Sequence, residues 1–542
     1  MNKKLYLLIT MLVSQIIISQ PNCPGDDCKS GICRPMGCCT QPLCGKSFFQ
    51  QRSQNTNTAR RAVGHHNFKY TYECGCANGL LAITPEYSKS FKPYRMAQYF
   101  FGQNCINFTG SMVTQRSDFD VLADYFGLSP EFESSISIKP KVKTFLIDFD
   151  LYLNLYKGFY VQLYSPIVHT NWGIRICEDL ENCAPDVPFP AGYMADEAVD
   201  PAAGSVTKAL KGGLTFGDVT TGMKFGKFCC EKTTTKLADV TLALGYIFLQ
   251  REKGYFGANI FATAPTGTRP KSIYLFEPIA GNGKHWEFGI GFTGQVLIWE
   301  KDGNKTLHLH TDANFSHLFW AKQCRSFDFK CGPALATNCY TQDRFASRYM
   351  LLKEFDSNGA YTGTLVPAIN VTTLGCKVKS NFQMDLNIMF AYNHRNWEFD
   401  FGYNAWLRSH EKICLCEDIP EYRYGFKGIQ NVSNLDAEVT QCSATIYGNS
   451  FADQAAVADD VFPQFVSTSD LDLCSASTPL SFTHKLYCHL SYAFEKEERC
   501  TTPYVGIGSN VEFESVEPRY LDLEKNTLYQ WALWLKFGFD YH

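Results

Sequence analysis

Beyond its first twenty residues the chain has no apolar run approaching the 18 or so residues that a membrane-spanning helix needs, so a helical span is excluded. It also has little net charge. Fifty Lys and Arg against 54 Asp and Glu leave −4, too small a balance to argue for a nucleic-acid partner. No G-x-S-x-G, H-E-x-x-H or P-loop sequence occurs, and the acidic residues form no recognisable pair of catalytic carboxylates. Catalysis is not indicated, and no cofactor is implied.

What is present begins at the N-terminus. Lys3 and Lys4, an apolar stretch over residues 5–18, and Ser19 and Gln20 have the layout of a secretory signal peptide, so residues 1–20 are read as a leader. Cys23 follows Gln20-Pro21-Asn22 rather than a small residue, which argues against lipidation. The 23 cysteines of an exported chain point to an oxidising compartment, and their odd number leaves at least one thiol free or paired between molecules. Cys23, Cys28, Cys33, Cys38, Cys39 and Cys44 crowd residues 21–52, which read as a disulfide-stapled segment. Their spacing matches no common zinc site. Residues 53–130 have no assignable pattern and are expected to hang in the periplasm or to plug the structure formed by the rest of the chain.

From residue 131 to 542 the chain turns to period-two alternation, the mark of strands with one apolar face. Phe145, Ile147, Phe149, Leu151 and Leu153 alternate with Asp148 and Asp150. Leu242, Leu244 and Tyr246 follow Asp239, and Phe288, Ile290 and Phe292 follow Glu287. Leu307 and Leu309 alternate with His308, His310 and Asp312. Leu386, Ile388 and Phe390 follow Asp385, and Phe399, Phe401 and Leu407 interleave with Glu398, Asp400 and Arg408. Many of these runs reach about eleven residues, longer than the usual five or six of soluble sheets and enough to cross a bilayer at a tilt. A closed barrel is the only other spanning structure that pairs its backbone internally. The fold class is therefore all-β, a transmembrane antiparallel barrel of about fourteen strands (12–18) behind a Cys-rich N-terminal segment.

The last strand sets Tyr529, Trp531, Leu533, Leu535, Phe537, Phe539 and Tyr541 against Lys536 and Asp540. It resembles the aromatic C-terminal strand that outer-membrane barrel proteins present to their assembly machinery. The whole resembles, in architecture, the porins and the cysteine-containing major outer-membrane proteins of intracellular bacteria. That resemblance implies a Gram-negative outer membrane, contact with its lipid and with the barrel-assembly machinery, and a disulfide-linked or trimeric assembly. Counting back from a periplasmic C-terminus puts short turns at 156–158, 217–220, 251–254, 302–304, 393–395 and 495–502 on the inside and the long connections outside. Fourteen strands result if 131–139, 205–216 and 221–229 are each counted. Cys177 and Cys183, then Cys324, Cys331, Cys339 and Cys376, then Cys414, Cys416, Cys442 and Cys474 group on successive loops, where disulfides would offset ordering entropy.

The polar faces should line a lumen, with Asp148, Asp150, Asp239, Glu287, His308, His310, Asp312, Asp385, Glu398, Asp400, Arg408, Lys536 and Asp540 pointing inward. The excess of acid predicts a channel for passive diffusion of small hydrophilic solutes or ions, with a preference for cations. The alternative is a surface-exposed structural or adhesin barrel with stapled loops and no open pore. His308 and His310, two residues apart on one strand face with Asp312 next, could form a metal site only with a third ligand from a neighbour, and a polar lumen lining is the favoured reading. Gly289-Ile290-Gly291-Phe292-Thr293-Gly294 matches the glycine-rich dinucleotide pattern but lies inside a strand with no helix after it. Asn107, Asn304, Asn314, Asn370 and Asn431 head formal glycosylation sequons, read as coincidence.

Overall fold

The computed structural model describes residues 45–64, 78–102, 105–114, 120–330, 347–358, 361–427, 465–494, 501–514 and 528–541. The expected leader, residues 21–44 of the Cys-rich segment with all six of its cysteines, and Cys331, Cys339, Cys442 and Asn431 lie outside them. A short helix, α1 (Thr58–Ala62), comes first. Twelve strands form the barrel: β1 (Asn78–Phe91), β2 (Glu133–Tyr156), β3 (Phe159–Asn182), β4 (Val240–Arg251), β5 (Gly254–Ala264), β6 (Glu287–Lys301), β7 (Lys305–Ser326), β8 (Thr373–His394), β9 (Trp397–Arg408), β10 (Ser481–Ala493), β11 (Thr501–Glu514) and β12 (Tyr529–Tyr541). Each pairs antiparallel with the next, and β12 pairs with β1, so the sheet closes with no edge. Short strands at Cys105–Thr109, Val121–Leu122, Lys232–Leu237 and Glu411–Leu415 extend this sheet outside the ring.

The count is twelve rather than fourteen for three physical reasons. The segment 131–139 and the strand expected from Thr144 are one continuous 24-residue strand, β2, because the outward lysines between them interrupt the apolar pattern without breaking the pairing. Residues 205–216 and 221–229 form no barrel hairpin; Gly212, Gly213, Gly217 and Gly226 all take positive φ, and the stretch makes isolated bridges, Phe216–Val219 and Lys227–Tyr274. The turn at 217–220 therefore belongs to the long 183–239 connection, not to the short-turn end. Finally, residues 78–91, which carry no clear sequence pattern, supply β1. The barrel thus starts upstream of residue 131, and β1 is the strand that joins β2 to β12.

Short turns gather at one end. Between β2 and β3 only Lys157 and Gly158 intervene, both at positive φ, as a tight hairpin turn requires. Asp302 and Gly303 turn β6 into β7 in the same way. At the opposite end long connections pack over a large apolar core. It gathers helix α2 (Pro93–Phe101), Phe132, Phe189, Phe276, Phe327, Leu351, Ile369 and Val466.

Side chains alternate along most of each strand, with bulges interrupting the register in β4, β6, β7 and β8. Leu242, Leu244, Phe288, Ile290, Phe401 and Leu535 stand exposed on the outer surface, while their neighbours are buried inside. Exposed Tyr156, Phe159, Trp299, Trp397, Phe494 and Tyr541 collect at the short-turn end, and Tyr87, Trp286, Phe319, Trp320, Phe382 and Trp531 near the other. An apolar band between two aromatic girdles is the surface of a membrane barrel.

Inside, five large rings lie flat over directly opposed glycines: Tyr160 on Gly245, Phe261 on Gly289, Tyr487 on Gly402, Tyr504 on Gly538 and Trp534 on Gly508. A Cβ at Gly402 would come within 2.2 Å of the Tyr487 ring. The glycine-rich run at 289–294 is thereby explained, since Gly289 receives Phe261 and Gly291 faces Asn259 and Asn314.

Leu386→Arg, on the outer face of β8, should lower unfolding stability in bilayers by about 2–4 kcal/mol near the midplane. Gly402→Ala should cost about 1–3 kcal/mol by overpacking against Tyr487. Gly204→Ala, with nothing within 4 Å, should leave the denaturation midpoint unchanged.

Candidate functional site

The lumen is occupied by the chain itself. Residues 45–64 enter at the long-loop end and run down the inside of the barrel, almost all of them buried. This segment carries Lys46, Arg52, Arg60 and Arg61 and no acid. At its upper end Phe48 and Phe49 anchor in the loop-end core. The Phe49 ring packs against Tyr99, Trp172 and Phe276, and the Arg325 guanidinium lies 3.1 Å over the Phe48 ring.

Lower down the contacts turn ionic. Arg52 reaches Asp385 at 2.8 Å, Asn404 at 2.7 Å and Glu512 at 3.3 Å. Asp385 also accepts from the Thr58 hydroxyl and backbone N–H and from the Asn404 amide. Arg60 donates to Asp148 at 2.8 Å and to Glu86 at 3.1 Å. Arg61 lies 3.8 Å over the Tyr164 ring and donates to the Asn55 carbonyl. Asn57 caps α1, accepting from the Arg60 N–H, and itself receives a bond from Lys485. At the other end of α1 the Lys536 ammonium donates to the carbonyls of Arg60, Arg61 and Val63, which a helix end leaves without internal partners. Gly64 N–H donates to Asp400, Ser53 to Asp239, and Arg408 to the Gln50 carbonyl.

Of the residues the sequence nominated, Asp148, Asp239, Asp385, Asp400, Arg408 and Lys536 therefore meet around this segment. The others are placed along the wall. Glu287 accepts from Ser316 and Gln383, and Asp150 from Gln162. His308 lies between Gln295 and Thr306, with its ring centroid 6.1 Å from that of His310. His310, Asp312, Glu398 and Asp540 are buried on the same inner face. Among the described residues no group of three His, Cys, Asp or Glu side chains could hold a metal ion. Cys177, Cys183 and Cys376 are free thiols, so the loop edge at 177–183 is not stapled by its own pair.

Sequence reasoning missed Glu86, Lys485 and Glu512 on the wall; it offered a plug as one of two readings of residues 53–130, without the stretch 45–52 that it assigned to the Cys-rich segment. One signal was available for the segment: four basic residues and no acid among twenty, in a chain whose inward strand positions are acidic. With carboxylates counted as ionised, the wall carries Glu86, Asp148, Asp150, Asp239, Glu287, Asp312, Asp385, Glu398, Asp400, Glu512, Glu514 and Asp540 against Arg408, Lys485 and Lys536. Twelve minus three leaves nine negative charges facing Arg52, Arg60 and Arg61.

Two small spaces lie beside the segment. A cavity of about 20 Å³ lies between Asn55, Arg61, Glu287 and Asp385, and one of about 40 Å³ between Arg60, Glu86, Lys485 and Glu512, room for a water or a few. Below them Tyr152, Tyr160, Tyr255 and Tyr504 pack with Leu80 and Ile247 across the short-turn end. Arg52→Ala should cost about 3–5 kcal/mol of unfolding free energy, because it leaves Asp385 without its buried cation and Glu512 with Lys485 alone. A urea denaturation midpoint equal to that of the parent would refute the ionic anchoring.

No family model matches the chain, and no curated protein sequence matches it. Among solved structures it is similar to an outer-membrane channel from Pseudomonas putida F1, at 9% identity and a TM-score of 0.33, over 88% of this chain and 100% of that one. It is also similar to the transport unit of the autotransporter AIDA-I from Escherichia coli, at 8% identity and a TM-score of 0.27, over 91% and 100%. A FadL homologue from Pseudomonas aeruginosa matches at 6% identity and a TM-score of 0.23, over 86% and 89%. Likeness at these TM-scores carries no argument, and the fold stands on this chain's own strand pairing. The closed ring, the outward apolar band and the two aromatic girdles make the chain an outer-membrane β-barrel, with its own residues 45–64 inside.

Proposed function

We propose that this barrel is an outer-membrane channel held shut by residues 45–64, and that it passes small hydrophilic cations when the segment withdraws. The observation that carries the reading is the chemistry of the contact. Below Phe49 the segment is held to the wall chiefly by ion pairs and hydrogen bonds, which water can replace, beside one small apolar contact of Ala59, Ala62 and Val63 with Met389, Ala391, Tyr487 and Trp534. Twelve strands enclose more space than their side chains fill, since about eight suffice for a packed interior. The wall left behind would be polar and strongly acidic, and a lumen of one sign concentrates its counter-ions. In the closed state the three arginines stand where permeant cations would otherwise sit.

The rival reading is a structural or surface barrel with no pore, which the Phe48 and Phe49 anchors in the loop-end core favour. Planar-bilayer recording separates the two. The parent should be nearly silent, whereas a variant lacking residues 45–64, and separately the Arg52→Gln/Arg60→Gln double variant, should conduct. Reversal potentials should show cation preference, weakening as the Debye length falls from about 10 Å at 0.1 M salt to about 3 Å at 1 M. Folded but non-conducting variants would establish the structural reading instead, and an anion-preferring pore would refute the charge argument.

A further inference from the structure

We propose that the outer surface of β1–β3, just beyond the apolar band at the long-loop end, binds the phosphate-bearing headgroup of a membrane lipid. On β2 the outward positions run Leu155, Leu153, Phe149 and Phe145 and then change abruptly to Lys143, Lys141 and Lys139. The ten residue-to-residue steps from Phe145 to Leu155, at about 3.3 Å each and a tilt near 40°, span about 25 Å, the height of a barrel's apolar band. The lysines therefore begin where hydrocarbon gives way to headgroups.

Register sharpens the point. Lys143 stands directly opposite Lys89 of β1, and Lys139 directly opposite Arg175 of β3. Like charges opposed across strands destabilise a sheet, so such pairs call for an external counter-charge. Only one acid lines the recess they surround: Glu231, which lies 3.4 Å from Lys143 and accepts from Asn171. Five bases against one acid leave a net of four positive charges around a recess of about 430 Å³. The same device recurs elsewhere on the ring at this end. Lys379 of β8 opposes Lys412 of the Glu411–Leu415 strand. The short-turn end differs, because Glu252, Glu300 and Asp302 mix with its bases there.

A layer of fixed positive charge at headgroup depth, seated on an apolar band, fits an anion that arrives attached to acyl chains. Conduction does not enter this inference, which stands whether or not the barrel opens. The test uses the full-length protein in detergent with phosphatidic acid, phosphatidylcholine or inorganic phosphate, and counts retained lipid by native mass spectrometry. Phosphatidic acid should be retained over phosphatidylcholine and should resist displacement by excess inorganic phosphate. Replacing Lys139, Lys141 and Lys143 together by Gln should weaken its retention roughly a hundredfold, while replacing all three by Arg should preserve it. The Lys89→Gln/Arg175→Gln variant gives the same reading from the neighbouring strands if the triple variant does not fold. Equal retention of the two lipids, or unchanged retention by the folded Gln variants, overturns the site. Displacement by inorganic phosphate overturns the lipid assignment in favour of a free-anion site.

Discussion

The pairing of Arg52 and Arg60 with the acids of the inner wall is the interaction on which the rest of the structure depends. A buried carboxylate without a cation or several donors is costly, and the inner faces of twelve strands bring a dozen of them together. Asp385 shows how the cost is met: one guanidinium, one hydroxyl, one backbone N–H and one amide converge on it from the segment and from β9. The wall's own bases do not suffice. Two of them, Arg408 and Lys536, are turned to backbone carbonyls of the segment, so they position it as much as they neutralise acids.

Around that ionic layer the interior is filled by two others of different chemistry. Above it, the loop-end core is apolar and holds Phe48 and Phe49. Below it, tyrosine rings from the wall meet across the short-turn end. The glycines opposite these and the other inner rings permit the arrangement, since a side chain at Gly245 or Gly538 would strike Tyr160 or Tyr504. Close packing at the floor and roof leaves the middle layer as the part held mostly by contacts that water can replace, with Ala59, Ala62 and Val63 as its small apolar share. The outer surface obeys a separate logic, set by the membrane.

Much of the barrel was legible in the sequence because one face of each strand is apolar and the period is two. The hairpins β2–β3, β4–β5, β6–β7 and β8–β9 and the final strand announce themselves through runs such as Phe399-Asp400-Phe401. β1 does not, because Leu80 and Ala82 point inward while Pro85 and Lys89 point outward, which blurs the alternation. β2 reads as two strands for a related reason, its outward lysines imitating a strand end. The residues expected to line the lumen were found by alternation alone, but their partners were not. Arg52 meets Asp385 across 333 positions of sequence and Glu512 across 460, and no periodicity reports a contact of that range.

The closure of β12 on β1 has a consequence for the segment inside. Residue 64 and the first residue of β1 are separated by only the thirteen residues 65–77, and β1 is locked between two neighbours. The occupant of the lumen is therefore a ligand covalently fixed to its own receptor. Its rebinding is governed by an effective concentration, of millimolar order for short linkers, and not by how much protein the membrane holds. Dilution cannot strip it, and no separate inhibitor has to be recruited. Whatever withdraws it must compete with a neighbour that never leaves.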